Sequence, residues 1–118
     1  MLEYLDLRGS INMAQLGQQL AAMHRVVQSR FGWHRNNVIG ATPQSNSLQA
    51  DWIPFWRQQR LGFQLELAAN NGYGGELQKP GQQLLERFPV LFDGYQPQAS
   101  MLHGDLWSGN AGALSDGT

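Results

Sequence analysis

Residues 102–110 read LHGDLWSGN. Within this stretch His103, Asp105 and Asn110 satisfy the spacing H-x-D-x-x-x-x-N. Phosphoryl transfer to a hydroxyl gives that spacing a mechanical reason. The aspartate accepts a hydrogen bond from the attacking hydroxyl and takes its proton, while the asparagine offers a neutral oxygen to a magnesium ion on the nucleotide phosphates. Both side chains reach one cleft only if the chain between them reverses, and Gly104 and Gly109 permit the tight backbone this needs. On this reading Asp105 is catalytic, Asn110 is the metal ligand, and His103 braces the loop. The competing reading is a capped turn with a solvated aspartate, and three fixed residues alone leave both open.

The flanks fit a loop set between short extended segments. Ser100, Met101 and Leu102 lead in, after turn signals at Asp93-Gly94 and Pro97. Residues 111–114 (AGAL) lead out and are followed by Asp116-Gly117, a hairpin signal one residue before the sequence ends. The returning strand of that hairpin is therefore expected to lie in a longer chain.

Further upstream the pattern is helical. Met13, Leu16, Leu20, Met23 and Val27 recur at steps of three and four, which predicts a helix burying one stripe, with Ser10 as its N-cap. Residues 31–50 carry Gly32, Gly40, Pro43, Ser45, Asn46 and Ser47 and read as a long loop, with a short extended piece near Val38 and Ile39. Asp51 suits the cap of a second helix. Its aromatic face is Trp52, Phe55, Trp56 and Phe63, and Gly62 permits a kink. Residues 70–75 (NNGYGG) break it. Pro80 opens a third helix with Leu84, Leu85 and Phe88 apolar, and Pro89 stops it soon after.

The bulk properties narrow the function class. The chain has 118 residues, 42% hydrophobic and 14% charged, enough apolar content for a core within one domain or part of one. Eight basic residues against nine acidic ones give a net charge of −1 with no basic cluster, which argues against nucleic acid as a partner. No apolar run approaches a membrane span, and MLEYLDLRGS is not a signal peptide. Without cysteine there is no disulfide and no thiolate zinc site; cytoplasm is the default compartment.

The string LHGDLWSGN resembles the signature of the fructosamine (ketosamine) kinase family, relatives of aminoglycoside and choline kinases with a protein-kinase-like phosphotransferase fold. LAAMH at 20–24, FGW at 31–33, IG at 39–40, PQSN at 43–46, DW at 51–52 and RL at 60–61 agree in order and spacing, so the resemblance runs across nearly the whole chain. It implies a mainly α fold (α+β overall): a partial helical lobe with a short β-hairpin segment near the C-terminus. The chain would be one partial domain, with a hinge at about 1–9, helical lobe at 10–99 and catalytic loop at 100–118. In kinase-like folds the hinge backbone pairs with adenine, so the Glu3 carbonyl and the Leu5 N–H are the expected nucleotide contacts. Asp6, just after them, would cap the next turn or reach a ribose. Trp107 would pack beneath the loop or line the sugar site, packing being preferred.

The resemblance further implies ATP and magnesium as cofactors and a ketosamine, the sugar adduct left by glycation of an amine or protein, as substrate. Phosphorylation of its sugar hydroxyl would release the sugar and repair the amine. Within these 118 residues there is no Gly-rich phosphate loop, strand lysine or second metal-binding aspartate, so the chain alone is expected to be inactive. Its exposed apolar surface would favour self-association. Two other functions remain open: a kinase of another small alcohol or amino sugar, and a non-catalytic helical remnant that binds a partner. Gln44 and Asn46 would either orient substrate or satisfy the loop backbone.

Overall fold

The computed structural model describes residues 3–115. These fall into two compact units. Residues up to Val27 and from Ser100 onward form the first, and Gln28–Ala99 form the second. The boundaries run through two short strands, β1 (Val27–Gln28) and β4 (Ala99–Ser100). The chain is helix-rich with small antiparallel pairings.

The first unit contains α1 (Met13–His24). Its N-cap is Asn12, not Ser10. The Asn12 side-chain oxygen accepts from the N–H groups of Ala14 and Gln15 at 3.1 and 3.2 Å, satisfying two donors that the first helical turn leaves unpaired. The apolar stripe is less buried than its periodicity predicts. Met13 and Val27 are 72% and 51% exposed, and no residue of α1 is buried. Among the described residues this unit holds no second α-helix for the stripe to pack against.

The second unit begins where the sequence predicts a long loop, and most of that loop is ordered by pairing. β2 (Asn37–Ile39) and β3 (Thr42–Gln44) form an antiparallel hairpin with Val38 opposite Pro43. Outside it, Phe31 and Gln49 exchange both backbone hydrogen bonds at 2.8 and 2.9 Å, and the Trp33 N–H donates to the Asn46 carbonyl at 2.9 Å. The described hairpin thus lies at residues 37–44; the turn expected at Asp116-Gly117 lies outside the described residues.

Next comes α2 (Trp52–Trp56), which runs through a π-helical turn at Arg57–Gly62 into α3 (Phe63–Asn70). The irregularity expected at Gly62 is therefore a widened turn ending on it. α4 (Gln78–Arg87) starts two residues before Pro80, and a 3₁₀ turn, Phe88–Phe92, carries the chain past Pro89. Proline is tolerated in both first turns because those N–H groups have no helical acceptor. The core of this unit is Phe55, Leu65 and Phe88, each at most 6% exposed. Trp56 stacks on Phe88 with ring centroids 4.6 Å apart and planes 5° from parallel. Each buried Phe or Leu side chain contributes about 1.5–3 kcal/mol. No described helix is long and apolar enough to cross a membrane.

Asn46 is the one buried polar side chain among the described residues, at 4% exposure. Its Nδ2 donates to the Arg35 carbonyl and to Asn37 Oδ1, and its Oδ1 accepts from Arg60 Nη2 at 2.8 Å. Arg60 Nη1 also donates to the carbonyls of Ser45 and Gln59, and its guanidinium lies 4.7 Å from the Phe55 ring centroid. Burial pulls the Arg60 pKa below its ordinary value, yet an arginine remains charged at neutral pH. Asn46 thus satisfies backbone. Gln44 bonds a side chain instead, donating from Nε2 to Asn37 Oδ1 across the hairpin at 3.1 Å.

Candidate active site

β4 leads into the loop, and the Met101 N–H donates to the Val26 carbonyl at 2.8 Å, tying the entry arm to the chain just after α1. Gly104 then takes φ +86°, the left-handed conformation that turns the chain. The Asp105 N–H donates to His103 Nδ1 at 3.3 Å, so His103 braces the turn through a long hydrogen bond. A 3₁₀ turn, Ser108–Asn110, closes with the Asn110 N–H on the Trp107 carbonyl at 2.9 Å.

This reversal brings Asp105 and Asn110 together. Asn110 Nδ2 donates to the Asp105 carbonyl at 2.9 Å and to its carboxylate Oδ2 at 2.8 Å. Two acceptors on one atom fix the orientation of the amide, because a flipped amide would set oxygen against oxygen. The pair lies exposed, and Asp105 Oδ1 and Asn110 Oδ1 take no hydrogen bond from the described residues.

Trp107 departs from the preferred expectation. It is 60% exposed, and its six-membered ring lies against Gly109, where a β-carbon would collide with it. A side chain at position 109 would have to displace the ring. One face of the indole covers the loop backbone, and much of the side chain is open to solvent.

The exit arm is held by the segment before α1. The Gly9 N–H donates to the Ala113 carbonyl at 3.1 Å, and the Ser115 N–H donates to the Asp6 carbonyl at 3.0 Å. Ala113 is buried at 7% exposure. Asp6 neither caps a helix nor stands free. Its carboxylate takes a bidentate pair from Arg8, Nε to Oδ1 and Nη2 to Oδ2, both at 2.6 Å. The Arg8 guanidinium holds the Asp6 carboxyl below the usual aspartate range, with a smaller contribution from Ser115. The D-x-R spacing could have signalled this pair, but nothing local points to Ser115. Glu3 and Leu5 belong to the same unit as the loop and lie in an exposed, irregular stretch.

The family model for fructosamine kinase matches residues 1–118. This chain belongs to the fructosamine kinase family. Among curated relatives, the protein-ribulosamine 3-kinase, chloroplastic, of Oryza sativa subsp. indica is 43% identical over 108 residues, covering 90% of this chain and 32% of that protein. The Escherichia coli (strain K12) protein named "Probable ketoamine kinase YniA" is 42% identical over 104 residues, covering 86% of this chain and 35% of its own. The chain thus spans about a third of the length of these two relatives. A crystal structure named "putative fructosamine-3-kinase", from Thermobifida fusca, superposes with a TM-score of 0.80 at 31% identity over 98% of this chain and 41% of that one. A second, from Haemophilus somnus, shares the fold with a TM-score of 0.76 at 23% identity, over 98% of this chain and 39% of that one.

Within the family, the described residues supply few metal donors. No group of three His, Cys, Asp or Glu side chains forms among them. Magnesium is often held by one or two protein oxygens with phosphates and water. Asn110 Oδ1, left unengaged by an amide fixed through its nitrogen, fits such a role.

Proposed function

We infer that the full-length protein carrying this segment transfers the γ-phosphate of ATP to a sugar hydroxyl of a ketosamine, a deglycation-repair kinase. The observation that carries this reading is the Asp105–Asn110 pair, held at 2.8 Å on an exposed turn of a fructosamine kinase family member. Asp105 Oδ1 is the oxygen free to accept a hydrogen bond from the attacking hydroxyl and then its proton. Asn110 acts from both ends of its amide: the nitrogen holds the aspartate, and Oδ1 is this chain's ligand for magnesium. When bound, that ion neutralises charge on the phosphates. The Glu3 carbonyl and the Leu5 N–H are the proposed adenine contacts. The corresponding division of a kinase-like fold is a hinge at about 1–9, a helical lobe at 10–99 and the loop segment at 100–118, with cytoplasm as the compartment.

A sugar amine is favoured over another small alcohol because the relatives' names, ribulosamine and ketoamine kinase, agree with the Leu-Trp-Ser-Gly-Asn form of this loop. The deciding experiment uses the full-length protein. Asp105→Ala should lower kcat by about 10²–10⁴-fold, the usual contribution of a positioned base, while ATP affinity stays within a factor of about two. Near-normal turnover by the variant would remove Asp105 from the mechanism. Turnover of a choline or aminoglycoside acceptor in preference to a fructosamine would favour the other kinase reading.

A further inference from the structure

The second unit contains a cavity of about 390 Å³ between the start of α2 and the turn after the 3₁₀ helix. Its size is within the range of small-ligand pockets. Three aromatic residues line it, Phe31, Trp52 and Tyr95, together with Pro54, Pro97 and Asp51. Phe31 and Trp52 form a corner, with centroids 5.3 Å apart and planes at 55°. Tyr95 stacks beside Phe92 at 6.4 Å, and Phe92 meets Trp52 in a T-shaped contact at 6.2 Å.

Asp51 sets the charge of this cavity. It occupies the N-cap position of α2, where an aspartate ordinarily accepts from the first-turn N–H groups, but its side chain makes no capping bond. Asp51 is exposed and forms no salt bridge among the described residues, and no Lys or Arg lines the cavity. A carboxylate spared from its local structural role therefore shares this lining with three electron-rich rings. Both features attract a cation, and the rings and prolines suit an alkyl stem behind the charge. An anion would meet repulsion from Asp51, and a neutral alkyl group would leave that carboxylate unused.

We propose that this cavity is a binding site for an alkylammonium group, such as the side chain of a lysine in a peptide or protein. The site stands on unit-two geometry alone and does not depend on the chemistry assigned to Asp105.

The test is an NMR titration of the ¹⁵N-labelled 118-residue chain, read at the assigned Trp52 indole N–H. The probes are Nα-acetyl-lysine N-methylamide and a neutral counterpart that lacks the ammonium, Nα-acetyl-norleucine N-methylamide. The lysine probe should give a saturable shift at Trp52 and the norleucine probe at least about tenfold weaker binding, the scale expected when an ion pair and a cation–ring contact are lost together. Asp51→Asn should weaken the lysine probe to a similar degree. Equal binding of the two probes, an unchanged affinity in Asp51→Asn, or no saturable shift would each overturn the proposal. Should Asp51→Asn disturb the spectrum of the free protein, Tyr95→Leu, at an exposed ring, provides the second comparison: weakened lysine binding is expected, and unchanged binding overturns the proposal.

Discussion

Asn110 shows how much chemistry one side chain can organise. Its nitrogen bonds both the carbonyl and the carboxylate of Asp105, so the spacing in the sequence becomes a closed ring of hydrogen bonds. That link was legible because it is local: the residues are five apart, and a 3₁₀ turn at Ser108–Asn110 closes the chain between them. Asp6 shows the opposite case. Its neighbour Arg8 is local, but Ser115 comes from the far end of the chain, and no periodicity connects them. The Asp6–Arg8 pair also makes a prediction about pH. Because the folded-state pKa of Asp6 is lowered, its contribution to stability is complete above the ordinary aspartate value of about 4 and is lost as pH falls through the folded value. Arg8 is exposed and Asp6 partly so, so the effect is small and salt-sensitive. Thermal melting of the wild type and Asp6→Asn should therefore differ at pH 6, with the wild type higher, and converge as the pH falls through the lowered folded-state value. A gap that persists unchanged at low pH would assign it to packing.

Among the elements, α2, α3 and α4 could be read from apolar spacing and from proline and glycine positions; of the 37–44 hairpin only the extended piece near Val38 and Ile39 could be read, not its partner strand or the pairing. β2 is exposed throughout and β3 is only three residues long with a proline at its centre, so the apolar alternation that betrays a half-buried strand is missing from the sequence. The hairpin is held from outside itself. Arg60, on the π-helical turn, grips Ser45 and Asn46, and Asn46 grips Arg35 and Asn37. Removing the guanidinium leaves the buried Asn46 oxygen without its donor, so Arg60→Met should cost about 2–3 kcal/mol in urea denaturation. Gly32 tests the same assembly from the other side. It sits at φ +111°, and an added β-carbon would lie 2.5 Å from the Asn46 carbonyl oxygen. Gly32→Ala should destabilise the unit by about 1–3 kcal/mol. In both variants, NMR shifts should concentrate at residues 31–49. Stability within about 0.5 kcal/mol of wild type would show that this assembly is not what holds the segment in place.

At the scale of the whole molecule, the decisive comparison is between what the loop supplies and what phosphoryl transfer requires. The loop gives one carboxylate and one neutral oxygen, and the described residues gather no group of three metal-binding side chains. Phosphoryl transfer is almost entirely positioning and charge stabilisation, and it fails when the phosphate cradle or the metal cage is incomplete. The 118 residues contain no Gly-rich phosphate loop of kinase spacing, and they span about a third of their curated relatives. They also carry large apolar side chains open to solvent, including Leu91 and Val90 at 67% and 74% exposure. Exposed apolar surface of this kind favours association. The isolated chain should therefore show concentration-dependent self-association by sedimentation velocity. It should also transfer no phosphate from ATP to a fructosamine above the rate without protein. Turnover by the purified 118 residues would mean that Asp105, Asn110 and the segment holding them are a sufficient catalyst, and the upper-lobe elements expected of a kinase would then be dispensable.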